Sequence, residues 1–190
     1  MLTKIRDRNL NTKEIWDRFY KEMPMPVMKK RLSFYEAACS YITKPKSSVV
    51  DIGCGSGYGM YYLIQHNSYI ENIHGFDISS TACDISRMQG IHAYCLDITK
   101  QDISSLKTDY ITLLETLEHL DNPMEVVDKC LECCGSLIIT VPYKEACKKE
   151  ELHVYTGFDE DTFKDYDVLW TEIIRNRRNI LFVLKGKYYE

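Results

Sequence analysis

No stretch of this sequence approaches the ~18 consecutive apolar residues that a membrane-spanning helix needs. The first ten residues, MLTKIRDRNL, lack the apolar segment of a secretory signal. Together these absences set the expectation of a cytoplasmic protein with no membrane span. No internal repeat, low-complexity tract or linker interrupts the chain, so its 190 residues fit one domain long enough to bury a real core. A disulfide or zinc framework is also missing. The eight cysteines sit mostly inside apolar runs, where a reduced thiol behaves as a small hydrophobe. Cys130 and Cys133 in CLECC have zinc-like spacing, but no second such pair follows. That stretch is expected to be helical, with Cys130 and Cys134 one turn apart.

What is present is an alternating α/β pattern. NTKEIWDRFYKEM spaces Ile15, Phe19 and Met23 along one helical face, and VMKKRLSFYEAACSYI does the same with Leu32, Tyr35, Cys39 and Ile42. MPMP punctuates them. From Ser48 onward SVVDIG, IHGFDI, HAYCLDI, DYITLLE and GSLIITVPY read as five strands whose apolar faces suit a mostly parallel sheet buried on both sides. Ser79 or Ser80 can cap STACDISRM, and Asn122 followed by Pro123 opens MEVVDKCLECC. VLWTEIIRN and RNILFVLKG close the chain as an antiparallel hairpin at the sheet edge. The expected organisation is an N-terminal helical extension over residues 1–46, followed by one α/β domain over 47–190. Residues 1–46 carry eleven Lys/Arg and five Asp/Glu, a net +6 in a chain whose total is −4. A solvated helix face accounts for this basic arm, though RNA or another anion would also suit it.

VVDIGCGSGYG joins the first of these strands to a helix through four glycines, at 53, 55, 57 and 59. A dinucleotide fingerprint, G-x-G-x-x-G, fails here: counting from Gly53 places Tyr58 at the third glycine position, and counting from Gly55 places Met60 there. A phosphate-cradling P-loop fails too, because no Lys-Ser/Thr pair follows the glycines. What remains is an acid, Asp51, ahead of a turn that exposes bare backbone, which suits a ligand carrying an ammonium group. The second strand ends in GFDIS. This places Asp77 24 residues after Gly53, where an acid accepts hydrogen bonds from ribose hydroxyls. The third strand ends in CLDIT, placing Asp97 where it can accept from the amino group of an adenine. Ammonium, ribose and adenine in succession describe S-adenosylmethionine.

The motifs VVDIGCGSG, GFDIS, CLDIT, LLETLEHLDNP and SLIITVPY, in this order and spacing over about Ser48 to Tyr143, resemble the class I S-adenosylmethionine-dependent methyltransferases. The resemblance is strongest to the small-molecule branch that includes ubiquinone and menaquinone biosynthesis enzymes. It implies a Rossmann-like, doubly wound, seven-stranded sheet with an antiparallel last strand. It also implies that Asp51, Gly53, Gly55 and Gly57 form the methionine end, Asp77 with Ile78 the ribose contact, and Asp97 with Ile98 the adenine contact. Glu115, after the fourth strand, borders the same cofactor. N-terminal aromatics such as Trp16 or Tyr20 are expected to cover it.

Methyl transfer from a sulfonium is an in-line displacement in which the protein chiefly aligns donor and acceptor, but a hydroxyl acceptor also needs a base or a metal. Glu115, Glu118 and His119 follow the fourth strand at relative positions 0, +3 and +4, so a helical turn projects all three from one face. His153 returns to that edge later. His119 and His153 are thus the candidate bases. With the two glutamates they also form a candidate divalent-metal set, similar to that of small-RNA 2′-O-methyltransferases, to which no metal is assigned at this stage. The segment after the fourth strand, ETLEH, lacks the Asn/Asp-Pro-Pro-aromatic sequence of adenine-amino methyltransferases, and VPY supplies no Pro-Cys nucleophile for cytosine carbon. The expected function is methyl transfer to an oxygen or nitrogen of a small-molecule acceptor. The alternatives are a metal-dependent RNA 2′-O-methyltransferase or a non-catalytic S-adenosylmethionine-binding partner subunit.

Overall fold

A computed structural model describes residues 2–22, 32–144 and 152–190. Its centre is one seven-stranded sheet built from β2 (Ser47–Ile52), β3 (Ile70–Asp77), β4 (Ala93–Cys95), β5 (Thr108–Leu114), β6 (Cys134–Pro142), β8 (Val168–Ile174) and β9 (Asn179–Lys185). They lie in the order β4-β3-β2-β5-β6-β9-β8. β2 pairs in parallel with both β3 and β5, and β5 with β6, whereas β9 runs antiparallel to β6 and β8. The terminal hairpin therefore inserts its second strand into the sheet and leaves its first on the edge.

Residues alternate between two cores along each inner strand, as the two-residue period of a strand requires. On β2, Val50 and Ile52 join one cluster and Val49 the other; on β6, Leu137, Ile139 and Val141 face one side and Ile138 the opposite one. Helix α5 (Pro123–Leu131) covers the first face through Val126, Val127 and Cys130. Helices α2 (Leu32–Cys39) and α3 (Tyr58–His66) cover the second through Phe34, Tyr35, Ala38 and Leu63. Gly59 permits the contact between them, because a Cβ there would run into the Tyr35 ring. The wrap on both faces follows from strands that are apolar on both sides.

Several local expectations are corrected. Cys134 is the first residue of β6 and not part of a helix, because α5 ends at Leu131. Cys130, Cys133 and Cys134 are all buried core thiols. Ser79 caps α4 (Ser80–Met88) by accepting from the Ala82 N–H at 3.1 Å, but the Asn122 side chain makes no cap bond and instead donates to Glu125 at 3.3 Å. On α1 (Lys13–Glu22) the buried residues are Trp16 and Tyr20, one position along from the Ile15, Phe19 stripe. That helix rests on α4 and on a polar cavity, so the side chains that can satisfy both an apolar and a polar neighbour turn inward. Met23 and MPMP lie outside the described residues. A short strand, β1 (Thr3–Lys4), precedes α1 and pairs with β7 (Tyr155–Thr156), joining the start of the chain to the segment after β6. Among the described residues no helix is long and apolar enough to cross a membrane.

Asp51 pins α2 to the sheet. Its carboxylate is fully buried and accepts from the Tyr35 hydroxyl at 2.8 Å and the Thr112 hydroxyl at 2.6 Å. Burial raises the Asp51 pKa to about 6, against the pull of those two bonds, and the nearby Asp77 adds to the rise. Burial and the Asp51 charge push the Tyr35 phenol well above its usual range, so it stays a donor. The native carboxyl thus holds its proton after the unfolded one has lost it. The associated stability is full below about pH 4 and is withdrawn as the pH rises through about 6. Relative to Asp51→Asn, which does not titrate, the wild type should lose on the order of 3 kcal/mol over that interval in urea unfolding. Parallel pH profiles for the two proteins would overturn this account.

Candidate functional site

The strand order reverses at β2, whose neighbours β3 and β5 are followed by crossovers leading opposite ways, and a crevice opens beyond the carboxyl ends of these strands. A cavity of ≈ 840 Å³ occupies it. Of the sequence-predicted residues, Gly53, Asp77, Ile78, Asp97, Ile98, Glu115 and His119 line this cavity. Gly55 lines an adjoining recess of ≈ 50 Å³ that shares Tyr20, Gly53 and Glu115 with it.

The glycine turn owes its shape to two strand ends. Gly53 has φ +78°, and a Cβ there would collide with the Thr116 hydroxyl, so β2 and the segment after β5 approach to bare backbone contact. The Gly53 and Cys54 amides donate to the Phe76 carbonyl at 2.7 and 3.1 Å. Asp77, at the end of β3 and 7% exposed, accepts from the Gly55 amide at 2.8 Å with one oxygen and from the Ser79 amide at 2.8 Å with the other. A carboxylate has about four acceptor positions, so ribose hydroxyls are compatible with both bonds.

Two of the residues expected at the methionine end, Asp51 and Gly57, do not line the cavity or the recess. Asp51 lies beneath the glycine turn, bonded to Tyr35 and Thr112, and lines neither the cavity nor the recess. Gly57 is the residue ahead of α3 and faces Ser86 of α4. Along a strand-turn-helix segment only some residues face the crevice, and spacing alone does not say which.

β4 stops at Cys95, so Asp97, the residue expected to contact adenine, stands in the following loop. Its carboxylate accepts from the Thr99 amide at 3.1 Å and hydroxyl at 2.6 Å and pairs with Lys100 at 2.8 Å. Burial raises its pKa, but the bonds from Lys100 and Thr99 outweigh that and hold it below the usual carboxylate range. Ile98 is buried beside it, with its carbonyl accepting from Lys129 at 2.8 Å.

The segment after β5 does not form one helical face. Glu115 has φ +55°, a left-handed conformation that ends the strand, and its side chain accepts from Asn179 of β9 at 2.8 Å. A 3₁₀ turn then spans Leu117–His119. Glu118 and His119 consequently part from Glu115 and meet His153. One ligand atom from each of Glu118, His119 and His153 lies within 4.8 Å of the others. Two imidazoles and a carboxylate are a donor set that suits a divalent metal such as zinc.

His119 is the group facing the cavity. Its Nδ1 donates to the Leu152 carbonyl at 3.0 Å, which leaves Nε2 the proton acceptor, 3.9 Å from Glu118 Oε1. The His153 ring lies edge-on to His119 at 5.0 Å and does not line the cavity. Trp16 of α1 meets the other side of His119 edge-on at 5.2 Å. Trp16 and Tyr20 both line the cavity, as do Asn9, Thr12 and Lys13 from the same segment. Those last three carried no signal in the sequence, because their position depends on the β1–β7 pairing. Asn9 donates to the His119 carbonyl at 3.1 Å and to Asp121 at 3.2 Å, holding the N-terminal segment against the acceptor side.

The methyltransferase domain family profile matches residues 22–166. The ubiquinone biosynthesis O-methyltransferase of Coxiella burnetii is 27% identical over 122 residues, which make up 60% of this chain and 50% of that one. The chain thus spans about half the length of this curated relative. Two solved structures share the fold. One is a chain from the complex between the Haloferax volcanii Trm112 methyltransferase activator and a methyltransferase (TM-score 0.77, 14% identity, 95% of this chain and 99% of that one). The other is N-methyltransferase NodS of Bradyrhizobium japonicum with S-adenosyl-L-homocysteine (TM-score 0.72, 13% identity, 93% and 99%). With the strand order, the strand-end acids and the profile in agreement, this chain belongs to the methyltransferase domain family, the class I S-adenosylmethionine-dependent enzymes.

Proposed function

We propose that this chain transfers a methyl group from S-adenosylmethionine to an oxygen or nitrogen of a small-molecule acceptor, with His119 as the base. The observation that carries this reading is one cavity lined by Gly53, Asp77, Asp97 and Ile98 that also reaches His119. The residues fit the cofactor: the Gly53 backbone and Glu115 for the methionine end, Asp77 for ribose hydroxyls, Asp97 and Ile98 for adenine. When bound, the cofactor supplies a methyl group already activated by its sulfonium charge. His119 Nε2 takes the proton of the acceptor hydroxyl or amine, and the buried carboxylate of Glu118 offsets the charge the ring then carries. Trp16 and Tyr20 exclude water above the reacting groups, and the segment that ends with α1 thereby serves as the cover, while α2 belongs to the core of the sheet. His153 orders His119 from behind and is not itself the base.

The observation favouring a metal-dependent RNA 2′-O-methyltransferase is the approach of Glu118, His119 and His153. The distribution of charge counts against it. Lys4 pairs with Asp121 at 3.5 Å, Lys13 with Asp17 at 2.5 Å and Lys44 with Asp109 at 2.9 Å, while Arg6 donates to the His153 carbonyl at 3.0 Å. These members of the basic arm are engaged within the fold. Exposed Asp121 and Glu125 border the acceptor side of the cavity, which disfavours a polyanion.

Four measurements test the proposal. S-adenosylhomocysteine should raise the melting temperature while NAD leaves it unchanged. Asp77→Ala should weaken that binding in calorimetry by the loss of charge-assisted bonds worth ~1.5–3 kcal/mol each; an unchanged affinity would sink the ribose assignment. His119→Ala should lower kcat by ~100- to 10,000-fold on a small-molecule acceptor while cofactor affinity holds, and a chelator should leave the wild-type rate intact. Loss of the rate on chelation, with labelling confined to RNA, would transfer the assignment to the metal-dependent reading.

A further inference from the structure

Three residues along one edge of α1 touch three different parts of the site. Tyr20 reaches the glycine turn, its hydroxyl 2.6 Å from where a Gly55 Cβ would stand. Trp16 meets His119. Between them, Asp17 reaches across to the first turn of α4. One Asp17 oxygen accepts from the Ser79 hydroxyl at 2.7 Å and from the Thr81 amide at 2.9 Å, and the other pairs with Lys13 at 2.5 Å; the Ser80 hydroxyl lies 3.3 Å from both. The first-turn amides of a helix have no partner within it. Here Ser79 serves the Ala82 amide at 3.1 Å and a carboxylate from a different helix serves Thr81.

Ser79 links this clasp to the cofactor site. Its amide donates to Asp77 Oδ1 at 2.8 Å while its hydroxyl donates to Asp17, so the ribose acid and the α1 acid hold the same residue from opposite sides. Burial raises the Asp17 pKa, but the bonds from Lys13, Ser79 and Thr81 more than reverse it and hold the carboxyl well below its ordinary range. The clasp is therefore charged at neutral pH. Trp16, Tyr20 and Ala82 with their partly buried neighbours form a cluster apart from the two sheet cores. Beside the clasp the helix rests on this small apolar cluster, on the Trp16–His119 ring contact and on a bond from Lys13 Nζ to the Ser80 hydroxyl at 2.6 Å.

We infer that Asp17 is a positioning residue that holds α1 closed over the cofactor and so sets its affinity and residence time without touching it. This rests on the cofactor assignment above. The polarity of the contact suits a cover that must open and close, since the clasp exchanges its bonds for water more readily than a large apolar interface would.

The test uses the whole chain and S-adenosylhomocysteine as probe. Stopped-flow dissociation from Asp17→Asn and Asp17→Ala should be faster than from the wild type by roughly tenfold, the equivalent of one net hydrogen bond to a charged group. Glu22→Gln, which removes a charge from the end of the same helix, should dissociate at the wild-type rate. In hydrogen exchange with the ligand bound, residues 13–22 of Asp17→Asn should lose protection while β5 and β6 keep theirs. Unchanged dissociation and unchanged protection would overturn the clasp. A loss of protection spread equally over the sheet would also overturn it, by showing general destabilisation in place of local opening. Failure of the wild type to bind the probe would remove the cofactor assignment and the clasp together, whereas binding without any effect of Asp17 removes the clasp alone.

Discussion

The arrangement depends on carboxylates placed at the ends of parallel strands. Asp77 holds the Gly55 amide with one oxygen and the Ser79 amide with the other, which joins the first crossover to the second. Asp51, one strand over and one layer deeper, does the same for α2 and β5 through Tyr35 and Thr112. Buried acids are costly unless satisfied; Asp51 is satisfied by Tyr35 and Thr112 from two other elements, and Asp77 by the Gly55 amide of the preceding crossover and the Ser79 amide two residues on. The glycine turn can then present backbone to a ligand, because its neighbours are fixed by bonds and not by side chains of its own.

The N-terminal segment extends this logic. It is tied at its start by the β1–β7 pairing, near its middle by Asn9 on the His119 segment, and at α1 by Asp17 on α4. All three attachments are polar or main-chain. A segment attached in this way lies over the cavity and adds the partly buried Leu2 to the margin of one sheet core, and the aromatic residues it turns to the site are Trp16 and Tyr20. Each combines a broad apolar ring with a polar atom, as a surface between a cavity and a helix requires.

Much of the fold was legible because its strands are strongly patterned. Most of the parallel-type strands and the closing hairpin are marked by β-branched and aromatic runs, and the Ser79 cap by a hydroxyl residue ahead of the helix. Errors fell where a short-range pattern met a long-range demand. CLECC reads as helix, yet Cys134 pairs with Thr108 of β5, so the sheet claims it. ETLEH reads as one helical face, yet the left-handed Glu115 turns toward Asn179 and separates from His119. The α1 stripe was displaced by one residue because the helix packs on a small cluster with Ala82 at the mouth of the cavity and not on either sheet core.

By itself the sequence determined which chemistry is available: a glycine turn that cannot serve a dinucleotide or a P-loop phosphate, three acids at successive strand ends, and two histidines after the fourth and fifth strands. Those depend on residue type and spacing, which the chain carries locally. Tertiary structure decided which of them face the cavity. It sank Asp51 beneath the turn, set His153 behind His119, and brought Glu118 into that pair in place of Glu115. It also gave Asp17 a role that no local pattern marks, because a carboxylate that caps a helix 62 residues away is defined only once the two helices meet.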